Sequence, residues 1–221
     1  MSTLLLRFAA PLQAWGTESK YDIRKTDREP SKSGIVGFLA AALGRKRDES
    51  VEDLNALRVG VRADQEGEII QDFHMVHKDE KTSYLTRRYY LSDAVFVVGV
   101  ESEDDSVLQK LVDAVKNPVF PLFLGRRSCP PCGPIVLGIR EFDLETALDK
   151  EPWQIPEWRR KSETSVPCLR KVIESDSGGV VRKDRAISFS TYHREYGYRG
   201  VKESLCCPQL TETTHDPIAE L

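Results

Sequence analysis

The sequence predicts an α+β protein built on a ferredoxin-like unit, and three observations predict it. Apolar runs at residues 3–10, 94–100 and 135–142, together with an alternating run at 58–64, read as four strands. Two helical patterns, at 33–44 and 107–115, fall between the first and second and between the third and fourth of these strands. A long polar stretch without proline, 65–91, separates the two halves, so the order is β-α-β, projection, β-α-β.

Residues 3–10 form a buried strand that Pro11 ends. "LQAWGTESKYDIRKTDREPSKS" follows, polar and broken by Pro30, and reads as a loop. Ser33 is the expected N-cap of "GIVGFLAAALG" and Gly44 its stop. Ile35, Phe38, Leu39, Ala42 and Leu43 recur at helical spacing, while Gly37, Ala40 and Ala41 permit close approach to a sheet. "RVGVRAD" (58–64) alternates as a strand. Ile69-Ile70 and Tyr89-Tyr90 favour β-structure, so 65–91 is expected to be a projecting hairpin. "AVFVVGV" is a buried strand, Val107 to Val115 an amphipathic helix ended by Pro118, and "IVLGIREF" the last strand of the unit. The expected division is 1–145 for this unit and 146–221 for a small C-terminal β extension, with "AISFSTYHREY" as a candidate strand pair and an acidic tail after Cys207.

The 221 residues, 40% apolar and 30% charged, describe an ordinary soluble globular chain. No apolar run reaches the roughly 18 residues that span a bilayer. The start lacks a basic region and a cleavage site, so it reads as a strand rather than a leader. Five cysteines, an odd number, fit a reducing cytoplasm. The net charge of −3 conceals an uneven distribution: Lys20 to Arg47 holds eight Lys or Arg against three acids, whereas Glu101 to Asp105 and the tail are acidic. A one-sided basic surface is compatible with that pattern, as is a set of solvated surface charges.

"PLFLGRRSCPPCGP" (121–134) poses the main chemical question. A redox C-x-x-C opens a helix, whose N-terminus lowers the thiol pKa; here a strand follows Cys132 instead. Zinc requires a second ligand pair, and Cys206-Cys207 are adjacent. Cys129 and Cys132 therefore read as loop residues. Arg126 and Arg127 follow a turn-permitting glycine, and their planar forks suit phosphate oxygens. Arg87 and Arg88, beside Tyr89 and Tyr90 for base stacking, repeat the arrangement. His77, Lys78 and Tyr84 carry groups able to assist metal-independent RNA cleavage, or are simply polar residues of an exposed hairpin. The sequence has no nucleophile elbow, Walker loop, H-E-x-x-H or metal-spaced carboxylate cluster.

"LRFAAPLQAWG", "PSKSGIVGFLAAALG", "RRYYLSDAVFVV" and "PLFLGRRSCP", in that order, resemble the CasD family of RAMP-superfamily subunits in type I-E CRISPR Cascade. The likeness covers most of 3–142 and, loosely, Arg185 to Glu195. It implies a ferredoxin-like RAMP domain whose projecting hairpin is a "thumb". It also implies a non-catalytic subunit that caps the crRNA 5′ handle, meets the helical-backbone subunits and the large PAM-recognising subunit, and serves target DNA only indirectly. On this resemblance the handle contacts are Arg126, Arg127 and Ser128 in the loop, and Arg87 and Arg88 near the base of the thumb. Gln13 is then a hydrogen-bonding amide, Trp15 a stacking ring or a core anchor, and Lys32 and Ser33 an anion site at a helix N-terminus. No cofactor, metal or membrane is expected. A sister group from type I-C systems cleaves its own precursor, which makes a metal-independent endoribonuclease the alternative.

Overall fold

The computed structural model describes residues 1–16, 22–77, 79, 82–160 and 167–208. In chain order these hold strands β1 (Ser2–Ala9), β2 (Leu12–Gln13) and β3 (Ile23–Arg24), then helices α1 (Lys32–Ala42) and α2 (Glu52–Asn55). Next come β4 (Arg58–Gln65), β5 (Glu68–His77), β6 (Ser83–Ser92), β7 (Val95–Ser102) and α3 (Asp105–Lys116). The chain continues through β8 (Val136–Arg140), α4 (Leu144–Lys150), α5 (Glu157–Arg160), β9 (Leu169–Glu174), β10 (Val180–Phe189) and β11 (Arg194–Cys206).

Seven strands form one sheet in the order β10-β11-β9-β4-β7-β1-β8, with every neighbouring pair antiparallel. The four strands expected from the sequence are its β4-β7-β1-β8 portion. Alternation along β1 explains the layering. Leu4, Leu6 and Phe8 join the main core with α1 and α3, and Leu5 faces the other way with Val97 to meet Leu144, Ala147 and Leu148 of α4. The sheet is thus covered by helices on both faces, which is why β1 and β7 read as continuous apolar runs.

Helix α1 starts earlier than expected. Ser31, not Ser33, is the N-cap: its hydroxyl accepts from the Gly34 N–H, and Lys32 already has helical backbone. Gly44, at φ +79°, follows the helix as the expected stop. The small residues do admit close neighbours, although not in the manner of a flat sheet contact. A Cβ on Gly34 would lie 2.9 Å from the Trp15 ring, and one on Gly37 would lie 3.5 Å from Phe189 of β10.

The C-terminal third is larger than a small extension. β9 pairs with β4, β11 with β9 and β10 with β11, so three strands lengthen the same sheet. Residues 209–221, most of the acidic tail, lie outside the described residues. A second sheet is built around β6, which pairs antiparallel with β2 and β5 and parallel with β3. Its β5–β6 hairpin occupies the stretch read as a projection. Among the described residues no helix is long and apolar enough to cross a membrane.

Candidate nucleic-acid interface

The "GRRSC" segment is a tight turn hung between two apolar anchors. Leu124 and Cys129 are both buried in the main core. The Leu124 N–H donates to the Cys129 carbonyl at 2.7 Å and the Cys129 N–H to the Arg126 carbonyl at 2.9 Å, closing the loop on itself. Gly125 has φ +85°, and a Cβ there would stand 1.7 Å from the Ala14 carbonyl oxygen, so only glycine fits. Arg126, Arg127 and Ser128 make up the tip, the last two exposed. Burial pushes the Cys129 thiol above its ordinary pKa, the opposite of what thiolate chemistry requires. Its place in the motif is that of an anchor.

Arg126 does not simply fan outward. Its guanidinium lies over the Tyr90 ring, 4.5 Å from the centroid, and Nη2 donates to the Arg24 carbonyl at 2.9 Å. Tyr90 and Arg88 stand two residues apart on β6 and share a face, and Arg24 is the register partner of Arg88. The structure therefore gathers residues from three distant segments, 24, 88–90 and 126, around one ring. Two buried guanidinium N–H groups in this cluster, Arg88 Nε and Arg126 Nη1, have no hydrogen-bond acceptor among the described residues. Asp72, opposite Arg88 on β5, bonds its carboxylate to His74 instead. Tyr90 is buried beneath the Arg126 guanidinium, so its ring seats the arginine rather than stacking a base, and the fixed charge of the cluster favours phosphate at the exposed turn tip.

Arg87 belongs to the opposite face of β6, exposed, where Phe73 and Ile23 are its register partners. That face is apolar: Ile69, Phe73, Met75 and Leu85 are all exposed. His77 and Tyr84 sit toward the far end of the hairpin, four or more residues and about 13 Å of strand from Arg88. Lys78 lies outside the described residues.

Four expected contacts are built into the protein instead. Gln13 is fully buried, with its amide donating to the Phe8 and Ala94 carbonyls at 3.3 and 2.7 Å and its oxygen accepting from the Trp15 indole at 3.1 Å. Trp15 stacks on Phe8 at 5.7 Å, so it is the core anchor. Lys32 is buried, and its ammonium donates to Glu174 at 2.7 and 2.8 Å and to the Asn55 carbonyl. Ser33 is also buried, its hydroxyl 3.2 Å from that of Ser31. The anion expected at the α1 N-terminus is internal: Asp184 of β10 accepts from the Lys32 N–H at 2.8 Å. Burial pushes the Asp184 carboxyl up, but Arg199 at 2.7 and 2.8 Å and the helix N–H hold it below the usual range.

A second ionic strap holds the loop that carries Arg24. Glu29 is buried and bridges Arg170 of β9 at 2.8 Å and Arg182 of β10. Arg170 also binds Glu66 at 2.7 Å. These partners are more than a hundred residues apart in sequence, so no local pattern signals them.

Residues 3–202 match the family model described as CRISPR-associated protein (Cas_Cas5). CRISPR system Cascade subunit CasD of Escherichia coli (strain K12) is 35% identical over 161 residues, covering 62% of this chain and 70% of that protein. A solved structure described as a crystal structure of Cas protein is 41% identical, covers 93% of this chain and 95% of its own, and superposes with a TM-score of 0.74. A chain of a CRISPR RNA-guided surveillance complex is 28% identical, with coverage of 93% and 90% and a TM-score of 0.79.

Proposed function

This chain belongs to the CRISPR-associated Cas5 protein family, and on that premise we propose that it is a non-catalytic crRNA-binding subunit of a type I-E Cascade surveillance complex. In this reading it caps the crRNA 5′ handle and joins the large PAM-recognising subunit to the helical backbone. The fold is a ferredoxin-like RAMP domain, supported by the antiparallel β4-β7-β1-β8 order and its two β-α-β units. The β5–β6 hairpin is the thumb. The handle site comprises Arg88, Arg126 and Arg24 around Tyr90, with Arg127 and Ser128 at the turn tip and Arg87 across the hairpin.

The observation that carries this reading is the convergence of three arginine-bearing segments on Tyr90, with two buried guanidinium donors left unanswered. The cluster fixes the turn so that Arg127 and Ser128 stand exposed beside it, and phosphate is the ligand that guanidinium forks suit.

The experiment mixes purified protein with labelled repeat RNA in EDTA over a range of salt. A shift that weakens as salt rises, without cleavage, is expected, because phosphate contacts release counterions. Cleavage at one position would replace the scaffold by an endoribonuclease and move attention to His77 and Tyr84. Binding of any RNA with equal strength and no preference for the handle would remove the capping role.

A further inference from the structure

We propose that Cys168 and Cys207 are an oxidation site that closes to a cross-strand disulfide. β11 runs antiparallel to β9 from Val201 opposite Glu174 to Cys206 opposite Leu169. One further step along the same register sets Cys207 opposite Cys168. Directly opposed residues of an antiparallel pair have Cα atoms about 4.5–5.5 Å apart, inside the roughly 4.4–6.8 Å that a disulfide spans. Leu169 and Cys206, the pair just before, both turn into the protein, so alternation places Cys168 and Cys207 together on the opposite face. Both residues are exposed, so an oxidant reaches them.

The other three cysteines are unsuited to this pairing. Cys206, next in sequence, turns into an apolar cluster with Trp153, Ile155 and Leu169. Burial pushes its thiol up to about 11. Cys129 is the buried anchor of the arginine turn. Cys132 is exposed, but its N–H bonds to Ala9 at the end of β1. β1 lies three inter-strand steps from β9, about 14 Å away.

The neighbouring Cys168 thiol holds the Cys207 thiol above its ordinary pKa. Reaction at neutral pH is therefore slow to start and quickens in mild alkali. The oxidant is a low-molecular-weight disulfide. One cysteine thiolate attacks it, forming a mixed disulfide and releasing one thiol. The neighbouring cysteine, at high effective concentration, then attacks the mixed disulfide and releases the second. In sum two protein thiols lose two protons and two electrons, and one external disulfide becomes two thiols. The bond closes residues 168–207, and so β9, β10 and β11, into one covalent loop. β10 supplies Asp184 to the α1 N-terminus and Arg182 to Glu29, so oxidation clasps the edge that supports both.

The test treats the full chain with glutathione disulfide at mildly alkaline pH. Before treatment Cys132, Cys168 and Cys207 are expected to react with a chromogenic thiol reagent under native conditions; in the Cys132→Ser chain, which lacks the third exposed thiol, none does afterwards. In that chain the intact mass falls by two hydrogens, a peptide map links 168 to 207, and the thermal midpoint rises until reductant is added. Cys207→Ser is expected to stop at a glutathione adduct on Cys168, with no rise in midpoint. Stable glutathione adducts on both Cys168 and Cys207, a link through Cys132 in the wild-type chain, or a link between two chains would each overturn the proposal.

Discussion

Gly125 shows how much one residue decides. Its positive φ and the Ala14 carbonyl behind it leave no room for a side chain. Gly125→Ala is expected to lose about 1–3 kcal/mol for the backbone conformation alone, more with the clash, read as a lower urea midpoint. Arg126→Ala and Arg88→Ala are each expected to weaken handle RNA binding about 3–10-fold, on the scale of the net worth of one hydrogen bond. Each also lowers the salt slope by about 1. Unchanged affinity in the double variant would take these arginines out of the site. The Arg126-Arg127 turn was legible in sequence because a glycine and a buried run announce it, whereas Arg87 and Arg88 sit inside β6 on opposite faces. Gln13 and Lys32 were not, since a polar residue in a loop reads as available until its distant partners are known. Ala94, Asn55 and Glu174 are those partners, and nothing near Gln13 or Lys32 in the chain points to them.

At the level of single elements, α1 depends on a strand 152 residues later than its first residue. Asp184→Ala removes the carboxylate that meets the helix N-terminus and strands Arg199 beside it. The expected loss is about 3–5 kcal/mol, as for breaking a buried ion pair, measured by denaturant unfolding. Glu29 and Asp184 both titrate below their ordinary range in the folded chain, despite burial that opposes the shift, because arginines hold the ionised forms. Their contribution is present above the unfolded carboxylate range and disappears as pH falls through it. The thermal midpoint is therefore expected to drop from about pH 5 downward, and to drop less steeply in Glu29→Gln. The hairpin behaves oppositely. Among the described residues the strand partners of its outer part lie within the hairpin, so replacing residues 74–86 by an Asn-Gly turn is expected to move the midpoint by no more than about 3 °C. Strong periodic segments such as α3 and β7 were readable to within a residue or two. β9 and α4 went unread, because elements of six and seven residues give too few periods to register.

Over the whole molecule, the four central strands could be placed from order alone, whereas the continuation of the sheet through β9, β11 and β10 could not. Its adhesion rests on long-range ion pairs and on the length of β11, which exceeds the strand pair visible in the sequence. Cutting the chain after Glu174 is thus expected to cost more than an edge. It removes Asp184, Arg182 and Ala186, exposing the flank of α1, and the product is expected to lack a cooperative melting transition. The net charge of −3 and the arginine cluster are compatible because the cluster is local, set by three segments and not by composition.

On the proposed function, the way Arg126 is seated, on a ring from one segment and a carbonyl from another, makes guide capture a proofreading step for the protein itself. A chain that has not brought positions 24, 90 and 126 together has nothing to offer an RNA end. One that has done so is then favoured by mass action once the RNA is bound. On that reading, misfolded copies are left out of assembly without any separate inspection.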